Sequence, residues 1–107
     1  MGGYVYLICD PVQETYKIGV TRNLAQKRLK HLQTGNSSEL HIIYSIYTNY
    51  PFRLETLLHT KFRNKKATGE WFYLDSDDIK NFQKTCEETI ELIELMKDNP
   101  FFGKNLK

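Results

Sequence analysis

Four side chains in the first half of this chain have the types and spacing that phosphate chemistry needs: Tyr6, Lys17, Arg28 and Glu55. A carboxylate such as Glu55 can hold a hard cation like Mg²⁺. A planar guanidinium forks onto the nonbridging oxygens of a phosphate. A phenol or an amine beside another cation can accept a proton from water. Together these groups suit the binding and hydrolysis of a phosphodiester bond.

A hairpin is predicted to position the first two groups. Residues 3–9 are aromatic and β-branched, residues 10–13 favour a turn, and a second strand runs from about Thr15 to Val20. With that four-residue loop, Tyr6 faces Lys17 directly across the hairpin. Alternation then defines an apolar core face and a second face that suits a cleft. The core face carries Val5, Leu7, Tyr16 and Ile18, and the cleft face carries Tyr4, Tyr6, Lys17 and Gly19.

Two helices are predicted to carry the other two groups. The first runs from an N-cap at Asn23 to about Thr34, where Gly35-Asn36 ends it. Arg28 falls within the apolar stripe of this helix, which consists of Leu24, Ala25, Leu29 and Leu32. The second helix runs from near Pro51 to Phe62 and places Glu55 and His59 one turn apart. We expect the carboxylate of Glu55 to border buried surface.

The remaining pattern completes one domain over residues 1–97. A strand is predicted from Leu40 to Thr48, a basic loop at 63–69 and a short strand at 70–74. The capping sequence at 75–78 opens a long last helix to about residue 97, and we expect residues 98–107 to form a mobile tail. The order β-β-α-β-α-β-α predicts an α+β fold, with a small mixed or antiparallel sheet and flanking helices.

Composition narrows the function classes. Residues 1–74 carry ten Lys/Arg against five Asp/Glu, whereas residues 75–107 carry five against eight. A basic body with an acidic last helix suits a polyanion on one face. The two cysteines, Cys9 and Cys86, form no Cys-x-x-Cys pair, which argues against structural zinc. No membrane span or signal peptide is visible, so we expect a cytoplasmic protein with no membrane partner.

The motifs Tyr4-Val5-Tyr6, Lys17-Ile18-Gly19 and Gly69-Glu70-Trp71-Phe72, with Arg28 and Glu55 between them, resemble the GIY-YIG nuclease superfamily. The similarity is to its short branch in phages and large DNA viruses and covers residues 3–74. It implies a DNA endonuclease that uses one Mg²⁺, with Mn²⁺ as a substitute. The resemblance also implies that Tyr6, Lys17, Arg28 and Glu55 take the catalytic positions and that Glu55 binds the metal. Tyr4 replaces the glycine of the first motif, and Lys17 replaces the second tyrosine.

Several roles around this expected site stay open. Tyr6 could accept the proton of water with Lys17 lowering its pKa, or Lys17 could itself be the base. Accessory candidates are Tyr4, His31, His59 and Glu70. DNA phosphates would be neutralised by Lys27, Lys30, Arg63, Lys65 and Lys66, which contact the backbone without reading sequence.

Two other functions fit the same sequence. A catalytically inactive DNA-binding module would keep the basic face, and a protein-interaction domain would dock through the acidic last helix. For the nuclease we expect weak sequence preference or a partner protein that directs it to its target. The sequence leaves open whether the substrate is duplex, branched or single-stranded, whether RNA is accepted, and the oligomeric state.

Overall fold

The computed structural model describes residues 2–97, so the expected tail at 98–107 and the helix end at Asn99-Pro100 lie outside the described part. A five-stranded antiparallel sheet has the order β3-β1-β2-β5-β4 and is accompanied by four α-helices, which confirms the α+β prediction. The strands are β1 (Gly3–Asp10), β2 (Thr15–Thr21), β3 (His41–Thr48), β4 (Lys66–Thr68) and β5 (Trp71–Phe72). The helices are α1 (Ala25–Thr34), α2 (Pro51–Lys61), α3 (Ser76–Lys80) and α4 (Phe82–Lys97), with a 3₁₀ turn at Arg63–Lys65.

The register of the β1–β2 hairpin differs from the prediction. Tyr6 pairs with Gly19 and Lys17 pairs with Ile8, so the expected facing of Tyr6 and Lys17 is wrong. The turn closes one residue later because Asp10 stays in the strand and its Oδ1 accepts the N–H groups of Val12 and Gln13, at 3.1 Å each. Each side chain keeps its predicted face, because this change moves each cross-strand partner by two residues and side chains alternate with a period of two. The prediction that the second face lines a cleft is wrong at Tyr6, which is 1% exposed and belongs to a second core under α1.

The two faces of the sheet bury different helices. On one face, Val5, Leu7 and Ile18 pack against side chains of α2 and α4, including Leu54, Leu58, Phe82, Cys86 and Ile93. On the other face, Tyr6 and Ile8 pack against Ala25, Leu29 and Leu32 of α1. Each fully buried leucine of α2 contributes roughly 1.5–3 kcal/mol by leaving water. The strands β1 and β2 are therefore fixed from both sides.

Three local predictions need correction. Asn23 is not the N-cap of α1: Leu24 precedes the helix without a side-chain cap, and its own side chain is exposed. The basic loop contains the 3₁₀ turn and the added strand β4, since β4 pairs with β5. The long last helix is split at Asn81 into α3 and α4, although the predicted Asp75–Asp78 capping box is present.

Candidate functional site

Two carboxylates and an imidazole converge where α2 meets the turn between β4 and β5. Glu55 and His59 lie one turn apart on α2, and Glu70 lies in the two-residue turn between Thr68 and Trp71. One ligand atom from each of Glu55, His59 and Glu70 lies within 4.8 Å of the others. All three side chains are partly buried. They line a cleft of about 470 Å³, so the carboxylates are accessible from solvent.

The backbone of Ile18 positions two members of this cluster. Its N–H donates to the carbonyl of Glu70 at 3.1 Å, and its own carbonyl bonds Nε2 of His59 at 2.8 Å. A carbonyl can only accept, so Nε2 of His59 carries the proton and a neutral ring keeps its lone pair on Nδ1. The ring also meets Phe72 edge-on, with centroids 4.9 Å apart. The imidazole is thus held in one tautomer with one nitrogen free to bind a cation.

The electrostatics of the cluster favour an added cation. Burial raises the pKa of Glu55 above its usual value, and the nearby Glu70 carboxylate raises it further, while His59 and Lys17 oppose the shift. Lys17 Nζ lies 2.8 Å from Glu70 Oε1, with only 11% of the lysine side chain exposed. One ammonium therefore compensates part of the charge of two carboxylates, and a divalent ion would relieve the remaining repulsion.

Tyr6 and Arg28 form a second pair on the α1 face of the sheet. Arg28 Nε lies 3.5 Å from the Tyr6 hydroxyl, and this contact is the main cause that raises the pKa of Arg28. The charge of Glu70 raises that pKa further, so the guanidinium lies within electrostatic range of the cluster. The cation that contacts the phenol is therefore Arg28, whereas the sequence predicted Lys17. Tyr6 itself is buried, over Gly19.

The predicted accessory and DNA-binding residues fall into separate places. Tyr4 lies away from the cluster and meets Tyr47 edge-on, with ring centroids 5.4 Å apart. Lys27, Lys30 and His31 are exposed on α1. Arg63 and Lys66 line the cleft beside Glu55 and Glu70.

Lys65 makes two ion pairs within the protein. Its ammonium bonds Asp78 at 2.5 Å and Asp75 at 3.1 Å, and both carboxylates raise the pKa of the lysine. Lys65 therefore ties the 3₁₀ turn to the capping box of α3, and its contact with DNA stays a prediction.

Sequence reasoning missed the role of the Ile18 backbone and treated Glu70 only as an accessory. The Gly69-Glu70 pair did carry a signal, because a glycine at the first position of a two-residue hairpin turn supplies a positive φ, here +56°. Pairing of Trp71 with Lys17 then brings that turn beside β2. Within residues 2–97 no helix is long and apolar enough to cross a membrane.

Comparisons with known proteins give a match to a protein family. Searches of curated proteins and of solved structures give no significant match. The family model of the T5orf172 domain matches residues 3–92, which include all five strands, the Glu55–His59–Glu70 cluster and most of α4. This domain is phage-associated, which is compatible with a DNA-related role. Because the match spans most of the chain, the protein belongs to the T5orf172 domain family.

Proposed function

We propose that this protein is a metal-dependent DNA endonuclease of the GIY-YIG type, which hydrolyses phosphodiester bonds. The observation that carries the proposal is the convergence of Glu55, His59 and Glu70 within 4.8 Å in an open cleft. Lys17 and Arg28 supply positive charge around it, and two further basic side chains line the cleft. Membership of a phage-associated family compatible with a DNA-related role supports the same direction.

The donor set fits a divalent cation. Glu55 and Glu70 offer the oxygens that Mg²⁺ prefers, and a shared cation would offset the burial and the repulsion that raise the pKa of Glu55. The imidazole of His59 would add a nitrogen ligand, which Mn²⁺ accepts more readily than Mg²⁺ does. When bound, such an ion would stabilise negative charge on the phosphate and on the leaving oxygen.

The chain's own residues would supply the rest of the chemistry. Arg28, with Arg63 and Lys66 at the cleft, would neutralise and orient the phosphate. The guanidinium can only donate, so the Tyr6 oxygen is the acceptor in their contact, as a proton-accepting phenol requires. Lys17 already donates to Glu70, which favours Tyr6 over Lys17 as the base. Lys17 then serves to hold Glu70.

The test is cleavage of supercoiled plasmid and of a branched oligonucleotide with Mg²⁺ or Mn²⁺. Glu55→Gln and Arg28→Ala should lose the activity, while Glu88→Gln, an exposed carboxylate change on α4, should keep it. Cleavage that survives equally in all preparations would indicate a contaminant and refute the assignment.

The alternatives have their own outcomes in this assay. DNA binding without any cleavage would identify an inactive binding module, and Arg28→Ala would then only weaken affinity. Absence of DNA affinity at physiological salt would favour the interaction domain. One observation on α4 favours an interaction domain: Leu92 and Leu95 are exposed next to Glu91 and Glu94 in the sequence.

A further inference from the structure

A second cavity, of about 280 Å³, shares the β4–β5 hairpin with the cleft. Lys66, Gly69 and Glu70 line the cleft, whereas Ala67, Thr68 and Trp71 line the second cavity. The hairpin is therefore a common wall between the two. The rest of the second wall comes from the β1–β2 turn, the segment after α1 and Tyr73.

The chemistry of this second wall suits a flat, uncharged ring with polar edges. Trp71 and Tyr73 provide aromatic surface, and Gln13, Asn36 and Thr68 provide amide and hydroxyl groups. Among the residues that line it, none is a lysine or arginine, so the wall is unsuited to phosphate. Its one carboxylate, Asp10, is buried and already accepts two backbone N–H groups. Aromatic side chains stack on every nucleobase, whatever its sequence.

The cavity lies beside the candidate reaction centre. Trp71 directly follows Glu70, and Lys17 Nζ is 2.8 Å from Glu70 Oε1 and 5.9 Å from the centroid of the Trp71 ring. A strand that passes over the hairpin turn could thus place a phosphate in the cleft and a neighbouring base in the cavity. The volume is below the roughly 300–1,000 Å³ of pockets for drug-sized ligands, which suits a single base.

The segment that joins Gln13 to Thr15, two residues that line this wall, has an unusual backbone. Glu14, between them, has a φ of +54°, in the left-handed region that a residue with a Cβ seldom adopts. Such conformations cluster at ligand sites.

We propose that this cavity binds one unpaired nucleobase of the substrate strand, next to the phosphate held in the cleft. The inference rests on the proposed DNA endonuclease function and narrows its substrate to DNA with a flipped, bulged or single-stranded nucleotide. Extruding a base from duplex DNA breaks its stacking and pairing, and the cost is least where the base is already unpaired. The domain would therefore prefer branched or bulged DNA to regular duplex.

Trp71 is the only tryptophan in the chain, so its fluorescence reports on the cavity directly. The probes are duplexes with one bulged thymidine, with an abasic residue at the same bulge, and with no bulge, all titrated in EDTA to prevent cleavage. The bulged thymidine should quench Trp71 and bind about tenfold more tightly than the abasic bulge. Tyr73→Ala should abolish that preference. Tyr47→Ala, which removes a tyrosine of similar exposure (57% against 59%) outside the cavity, should retain it.

Equal affinity for the thymidine and abasic bulges, or an unchanged preference in Tyr73→Ala, would overturn the inference. If plasmid is nonetheless cleaved, the proposed endonuclease function is supported and the nucleobase site is refuted. If no DNA binds, the protein is titrated with free deoxynucleosides and Trp71 fluorescence is measured. Quenching that is lost in Tyr73→Ala would support a base site in a protein that is not a DNA endonuclease. Absence of quenching would refute both the base site and the endonuclease.

Discussion

Gly19 lies against the buried ring of Tyr6, and replacing this glycine with alanine is a direct test of the fold around Tyr6. A Cβ at Gly19 would lie 2.3 Å from the Tyr6 hydroxyl oxygen and 2.5 Å from Cζ. Ordinary contacts of a Cβ begin near 3.4 Å. The ring must therefore move by roughly 1 Å, yet Tyr6 is only 1% exposed and is packed under α1.

This close contact gives the expected loss in the free energy of unfolding for Gly19→Ala. Overpacking of a well-filled interior costs about 1–3 kcal/mol, which for a domain of this size lowers the melting temperature by on the order of 5–15 °C. Gly35→Ala is the matched control, because nothing lies within 4 Å of its Cβ position and its φ is −97°. That change should stabilise the protein by about 0.4–1 kcal/mol through the unfolded chain.

Urea denaturation followed by far-ultraviolet circular dichroism would measure both effects. A double-mutant cycle sharpens the assignment: Tyr6→Leu removes all three atoms nearest to the added Cβ, so Gly19→Ala should cost little in that background. If Gly19→Ala is as stable as Gly35→Ala, or costs the same with Leu at position 6, the packing of Tyr6 on Gly19 is refuted.

Three further predictions concern charge. Burial and the Glu70 carboxylate raise the pKa of Glu55. The charged carboxylate therefore lowers the free energy of unfolding, by an amount that grows as pH rises from the usual pKa to the raised one and stays constant above it. In EDTA, Glu55→Gln should be more stable than wild type by roughly 0.5–1 kcal/mol at pH 7.5, and urea titrations should show this gain shrink toward pH 4. Mn²⁺ should raise the melting temperature of the wild type more than Mg²⁺ does, and His59→Gln should remove the difference between the two cations. Equal rises in the melting temperature of the wild type would argue against a nitrogen ligand. The slope of the logarithm of DNA affinity against the logarithm of salt concentration should fall in magnitude by about 1 in Lys66→Ala. The same slope should be unchanged in Lys65→Ala, because two aspartates hold the Lys65 ammonium in the wild type.

The sheet was predictable from local pattern because alternation determines which side chains share a face. Val5 and Ile18 reach the core face and Tyr6 the opposite face, as alternation predicted, whereas the burial of Tyr6 under α1 was not predicted. The register was not predictable, since it depends on hydrogen bonds from the Asp10 side chain to the turn. The split of the last helix was missed for a related reason: Ile79 and Phe82 pack on one core across the break, so the apolar periodicity continues through it.

The site divides in the same way between local and distant causes. The i, i+4 spacing of Glu55 and His59 follows directly from a helix. Glu70 joins them only because β5 pairs with β2. The resulting contact between Lys17 and Glu70 joins residues that are 53 positions apart in the sequence. The partners of Lys65 lie ten and thirteen residues away, beyond any helical or hairpin spacing. Local patterns cannot predict such pairings.

The three residues Lys17-Ile18-Gly19 explain how a short motif can organise a whole site. Lys17 acts through its ammonium, which holds Glu70. Ile18 acts through its peptide groups, which fix the backbone of Glu70 and the tautomer of His59, while its side chain fills the core. Gly19 acts through the absence of a side chain, which admits the ring of Tyr6. Only the first of these roles depends on side-chain chemistry, so a search for reactive groups alone undervalues the other two positions.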